Sequence, residues 1–188
     1  MMKKTFVILC ASVVVLGGCN FFGAFNPDEE LPVVAPEAAS ANASMVDKDG
    51  NELGNVKFTE TTEGLKISMD LKNVPAGEHG VHIHTVGKCE RPDFESAGAH
   101  FNPENKQHGV KNPEGPHAGD LPNITPDGEG NVQVEYVANN LTLKSGMANS
   151  LFDEDGSAIV LHEKADDYVT DPSGNSGGRI ACGVITKE

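Results

Sequence analysis

Six of the seven histidines of this 188-residue chain fall between residues 79 and 120: His79, His82, His84, His100, His108 and His117. The seventh, His162, stands apart near the C-terminus. The stretch Val81-His82-Ile83-His84 alternates apolar and imidazole side chains, a period of two that predicts a strand. On a strand both histidines face one side, about 7 Å apart, and Val81 and Ile83 face the other. Taken alone, such a pair also suits a solvent-facing surface. Four more histidines and Asp120 close by in sequence point instead to a metal centre, since imidazole is the common ligand of zinc and copper.

Between Gly87 and Gly130 no strand or helix pattern is sustained. A patternless stretch of that length is unusual in a compact domain unless it is functional. Metal ligands supply a reason, because bound metal can hold a loop that apolar burial does not.

Around this loop the pattern is that of short strands. Ser44–Asp47, Gly54–Thr59 and Leu65–Leu71 are separated by Lys48-Asp49-Gly50-Asn51 and by Glu63-Gly64. In Leu65–Leu71 the apolar residues Leu65, Ile67, Met69 and Leu71 alternate with Lys66, Ser68 and Asp70, a half-buried strand. Further strands are expected at Val132–Val137, Leu141–Leu143, Ala158–His162 and Arg179–Thr186. No segment carries helical periodicity. The expected fold is all-β, a sandwich or Greek-key barrel of about eight antiparallel strands with long metal-binding and channel loops.

Residues 1–19 read as a targeting segment. Lys3 and Lys4 precede an apolar run, Thr5–Leu16, too short to span a bilayer. The tail Leu16-Gly17-Gly18-Cys19 resembles a bacterial lipobox, which implies lipidation at Cys19 and anchoring to a membrane of the cell envelope on its extracytoplasmic side. An ordinary secretory signal cut elsewhere is the alternative, and both export the protein to a disulfide-permissive space. Residues 20–41 carry Pro27, Pro32 and Pro36 and no period, and so read as a flexible tether. Phe21, Phe22 and Phe25 are either lipid-dipping or simply exposed. Residues 42–188 are then one domain. Loss of Lys3 and Lys4 moves the net charge from −14 to −16, which argues against nucleic acid as a partner.

His100, His108, His117 and Asp120 together offer three nitrogens and an oxygen, a plausible tetrahedral zinc set. His82, His84 and His162 remain for a second site, where imidazoles alone accommodate copper. Spacing by itself does not assign ligands to metals. HGVHIH, SAGAHFNP, HAGDLPNI, HEKADD and GGRIACGVI, in that order, resemble the copper/zinc superoxide dismutase family in its exported bacterial form, over about residues 44–186.

The resemblance implies copper at His82, His84, His100 and His162, and zinc at His100, His108, His117 and Asp120. His100 would bridge the two metals as an imidazolate. Asp166 would link a copper histidine to a zinc histidine and fix their rings. Arg179 would guide the superoxide anion, aided by the loop 166–178 at the channel mouth. His79 is not a ligand in that pattern and is expected to be a hydrogen-bonded structural residue. Cys10 leaves with the signal and Cys19 takes the lipid, so Cys89 and Cys182 remain as the expected disulfide.

The function expected is therefore dismutation of superoxide to oxygen and hydrogen peroxide by copper redox cycling. Zinc would be structural, and His100 would supply a proton. The alternative is an envelope lipoprotein that binds copper and zinc without turnover. A monomer and a homodimer are both compatible with the sequence.

Overall fold

The computed structural model describes residues 38–188. The expected signal segment, its Cys19 and most of the tether lie outside the described residues. Eight strands form: β1 Ser40–Asp47, β2 Glu52–Glu60, β3 Leu65–Leu71, β4 Val81–His84, β5 Val132–Ala138, β6 Ala158–His162, β7 Arg179–Val184 and β8 Thr186–Lys187. Every strand pair is antiparallel, and the spatial order is β4-β6-β7-β1-β2-β3-β5, with β8 also on β1.

The alternation in β3 is realised as read. Leu65, Ile67, Met69 and Leu71 are buried, while Asp70 is exposed. They join Phe58, Val56, Ala43, Val81, Ile83, Ile159 and Leu161 in one core that collects side chains from strands along the whole sheet. Each fully buried large apolar side chain contributes roughly 1.5–3 kcal/mol.

The turn at Lys48-Asp49-Gly50-Asn51 is built by Asp47. Its carboxylate accepts from the Asp49 and Asn51 backbone N–H groups and from the Asn51 side chain. Asp127 makes the same set of bonds to Glu129 and Asn131 ahead of β5. Both segments are thus capped locally by the side-chain chemistry that favours Asp in turns.

Several elements differ from the sequence reading. β1 starts at Ser40 rather than Ser44, β2 runs Glu52–Glu60 rather than Gly54–Thr59, and β5 ends at Ala138 rather than Val137. Leu141–Leu143 is not a strand. It makes only an isolated bridge, Thr142 with Ser150, and the side chains of Leu141 and Leu143 are buried as loop contributions to the core. The expected Arg179–Thr186 strand is broken at Ile185 into β7 and β8.

The strand order explains where the long loops go. β4 lies at one end of the order and β5 at the other, so residues 85–131 must travel between them. Within that connection the described regular structure is one short 3-10 turn, Glu95–Ala97. The loop binds back onto β4. Phe101 N–H donates to the Ile83 carbonyl, Ile83 N–H to that of Gly119, Thr85 N–H to that of Ala99, and Leu121 N–H to that of Val81.

Candidate metal centre

Three elements meet at the centre. β4 supplies His82 and His84, with Val81 and Ile83 turned into the core as the two-residue period requires. Its neighbour β6 supplies His162 as its last residue, at a register shift between Leu161 and His162. Such a bulge re-aims a side chain at the rim of a sheet. The 85–131 loop supplies the rest. Its bridges His84 with His100 and His82 with Asp120 fix the loop residues beside the strand histidines.

His82, His84, His100 and His162 converge, with their potential ligand atoms within 4.8 Å of one another and all four side chains buried. One nitrogen of each ring is engaged elsewhere. His82 Nε2 lies 2.8 Å from Asp166 Oδ2, His84 Nδ1 2.9 Å from the Gly98 carbonyl, and His162 Nδ1 3.3 Å from the Gly177 carbonyl. The other nitrogens, His82 Nδ1, His84 Nε2, His100 Nε2 and His162 Nε2, are buried without a hydrogen-bond partner. Four orphaned imidazole nitrogens in one spot are costly unless a cation satisfies them. Burial foremost, together with mutual repulsion, holds the rings neutral. It lowers His100 to about 4 and His162 to about 3, and moves His84 well down. Neutral imidazole is the form that ligates.

A second group adjoins the first. Asp120 Oδ1 lies 2.9 Å from His100 Nδ1, 3.0 Å from His108 Nδ1 and 3.2 Å from His117 Nδ1. Asp120 Oδ2 accepts from the Gly109 and His117 backbone N–H groups, each at 2.9 Å. Three ring nitrogens crowd one oxygen that has two lone pairs. The separations are close to the edge of a tetrahedron with bonds of ~2.0 Å, roughly 3.3 Å. His82 also falls within 4.8 Å of His100, His108 and Asp120. Its Nε2 is taken by Asp166, and His117 joins the group through its contact with Asp120 Oδ1. Burial works against charge on Asp120, but the three histidines hold its carboxyl well below the usual range. His100 belongs to both groups, Nε2 to the first and Nδ1 to the second.

Asp166 lies between the two groups. Besides His82 it reaches His108 Nε2, 3.0 Å from its Oδ1. Burial disfavours charge on His108, but the Asp120 carboxylate beside Nδ1 and the hydrogen bond with Asp166 outweigh it and push the ring up to about 9. Asn123 clasps Asp166 in turn. Its side-chain oxygen accepts the Asp166 N–H and its Nδ2 donates to the Asp166 carbonyl, both at 2.9 Å. His79 stands outside both groups, its ring nitrogens 2.8 Å from the His162 carbonyl and 2.9 Å from that of Pro75.

Residues 52–185 match the family model described as copper/zinc superoxide dismutase. The chain belongs to the copper/zinc superoxide dismutase family. Superoxide dismutase [Cu-Zn] 1 of Aquifex aeolicus is 50% identical over 145 residues, covering 77% of this chain and 86% of that protein. Superoxide dismutase-like protein YojM of Bacillus subtilis is 41% identical over 189 residues, covering 98% and 96%. A crystal structure of a SOD-like protein from Bacillus subtilis superposes with a TM-score of 0.75 at 46% identity, covering 77% of this chain and 97% of that one.

In this copper/zinc superoxide dismutase family member the expected disulfide is present: Cys89 in the loop is joined to Cys182 on β7. It packs with Phe94, Ala97, Ala158 and Val160. The same stretch of loop holds Arg179. Its Nη1 donates to the Phe94 carbonyl and its Nη2 to the Gly98 carbonyl, both at 2.6 Å. The Gly98 carbonyl also meets His84 Nδ1, so one oxygen ties Arg179 to the first histidine group. Arg179, Lys106, His84, His100, His117 and His162 line one cleft. Sequence reasoning missed Lys106 and Asp171, which line this cleft, and Asn123, which holds Asp166. Each stands in a polar loop whose local pattern resembles that of any solvated turn.

Proposed function

We propose that the protein is a superoxide dismutase that converts two superoxide anions and two protons to oxygen and hydrogen peroxide. The observation that carries this reading is His100, whose two nitrogens point into two adjacent ligand groups. Copper would be held by His82, His84, His100 and His162, and zinc by His100, His108, His117 and Asp120; the orphaned nitrogens and the donor types support both assignments. When bound, copper would supply one-electron redox chemistry, while zinc has no redox role.

The chain's own residues do the rest. His100 Nε2 is the atom that holds a proton and hands it to the reduced dioxygen, while Nδ1 stays with the Asp120 group. Asp166 keeps the rings of His82 and His108 oriented. Arg179, fixed by two carbonyls, presents a permanent positive charge at the cleft against the acidic background of the chain.

Purified full-length protein loaded with both metals should hold one copper and one zinc per chain and turn over superoxide. His100→Ala should disturb both metals, and His162→Ala mainly copper. A second reading, a metal-binding protein without turnover, is favoured by the name of the YojM relative, a superoxide dismutase-like protein. Copper-replete wild type that takes up zinc alone and leaves superoxide untouched would establish that reading instead.

The layout that goes with the enzyme is a signal of residues 1–19, a tether of 20–41 and a catalytic domain of 42–188, exported to the bacterial envelope with lipid on Cys19. A single acyl chain anchors weakly, and a lipoprotein carries more than one. Cys19→Ser should therefore move the protein from the detergent phase to the soluble fraction. A wild type already wholly soluble would count against the anchor.

A further inference from the structure

Asp171 carries an unexplained position. Its carboxylate lines the same cleft as Arg179 and is half-exposed there. A negative group at the entrance works against an anionic substrate, so its placement calls for a compensating role. Two contacts supply one. Its Oδ1 accepts the backbone N–H of His108 at 2.7 Å, across 63 residues of chain. The same oxygen lies 3.9 Å from His117 Nε2. That is too long for a direct hydrogen bond, and it leaves charge as the interaction.

The second group shows why this matters. A histidine that binds a metal through one nitrogen carries its proton on the other, and a carboxylate facing that N–H raises the ring's basicity and fixes its orientation. Of the three histidines around Asp120, His108 has Asp166 in that position. His100 turns its other nitrogen into the first group. His117 turns its Nε2 toward Asp171.

We propose that Asp171 is a positioning residue for zinc: it fixes the His108 backbone by a direct hydrogen bond and sets a negative charge opposite His117 Nε2, as Asp166 does at closer range for His108. The loop that follows β6 then holds the zinc group through two carboxylates, Asp166 and Asp171, one for each zinc histidine outside the bridge. This rests on the assignment of His100, His108, His117 and Asp120 to zinc.

The test is zinc competition against a chromophoric chelator on the full-length protein, with Co(II) absorption as a second readout. His117→Ala and Asp171→Asn are compared with wild type, with Asp171→Ala as a further arm. Asn keeps an acceptor for the His108 N–H but removes the charge facing His117. Asp171→Asn should weaken zinc binding about tenfold and shift the Co(II) bands, with the metal-free unfolding midpoint unchanged. Asp171→Ala should weaken binding at least as much. If His117→Ala loses zinc while Asp171→Asn binds it as wild type does, the role of Asp171 is overturned and the ligand set stands. A fall in the metal-free midpoint with unaltered affinity would also overturn it, by showing a merely structural tie. If His117→Ala binds zinc normally, the ligand assignment itself fails, and this inference fails with it.

Discussion

Replacing Cys89 and Cys182 by serine should cost the domain a large share of its stability. The bond closes a sequence separation of 93 residues, and the loop-entropy relation for that length gives roughly 4.7 kcal/mol at 25 °C. A domain's whole stability is about 5–15 kcal/mol. The substitution also places two hydroxyls beside Phe94, Ala97, Ala158 and Val160, which are buried to 0% exposure, so packing adds to the entropic loss. Urea unfolding of metal-free protein is the right assay, because metal binding would otherwise add its own stabilisation. A second effect follows from Arg179, whose two backbone acceptors, Phe94 and Gly98, lie in the stretch that the disulfide pins to β7. The metal-loaded variant should therefore also lose catalytic rate at temperatures where it remains folded. A stability loss under about 1 kcal/mol would refute the entropic argument, and an unchanged rate in folded variant would refute the link to Arg179.

Wild-type turnover per bound copper should fall as salt rises, since screening acts beyond about 8–10 Å; Arg179→Glu should be slower than Arg179→Ala with copper content unchanged in both, and equal rates at low salt would remove Arg179 from guidance. Metal-free protein should be most stable near pH 6.5 by urea unfolding. His100 and His162 sit near 4 and 3 in the folded state, so their contribution is full above 6.5 and is lost as pH falls, by up to about 1.4 kcal/mol per pH unit for each. His108, raised to about 9, contributes fully below 6.5 and loses that contribution as pH rises through 9; a flat profile between pH 4.5 and 6.5 would contradict the buried neutral rings. Gly174→Ala should lower the unfolding midpoint by an amount equivalent to about 1–3 kcal/mol, because φ is +65° and a Cβ there would overlap Asp166 Oδ1 and come within 2.7 Å of His108 Nε2.

Much of the centre was legible because metal ligands leave compositional marks. His82 and His84 announce a strand by alternation, and the family motifs single out His100, His108, His117, Asp120 and His162. The strand at Leu65–Leu71 was read to the residue, since a half-buried strand writes its burial into a period of two. Leu141–Leu143 misled for the same reason in reverse: alternating apolar residues also suit a loop that drops two leucines into the core. Asp171 and Asn123 were not legible. Asp171 acts on His108 from 63 residues away, and Asn123 on Asp166 from 43. No local period encodes a contact that only the sheet order creates. Gly174 was seen as part of a channel loop, but its fit over Asp166 depends on that same long-range closure.

β4 stands at an end of the strand order, and the 85–131 loop lies along it. Backbone bonds from Thr85 to Ala99, Phe101 to Ile83, Ile83 to Gly119 and Leu121 to Val81 occupy donors and acceptors that a terminal strand would otherwise present outward. An open strand edge is a template for pairing with another chain, and proteins blunt it with charge, bulges or a covering segment. Here the covering segment is the one that gathers the ligands. Colloidal behaviour and metal chemistry are therefore written into one piece of chain, so a substitution chosen to retune a ligand in this loop also changes how well the sheet is sealed against its neighbours in solution.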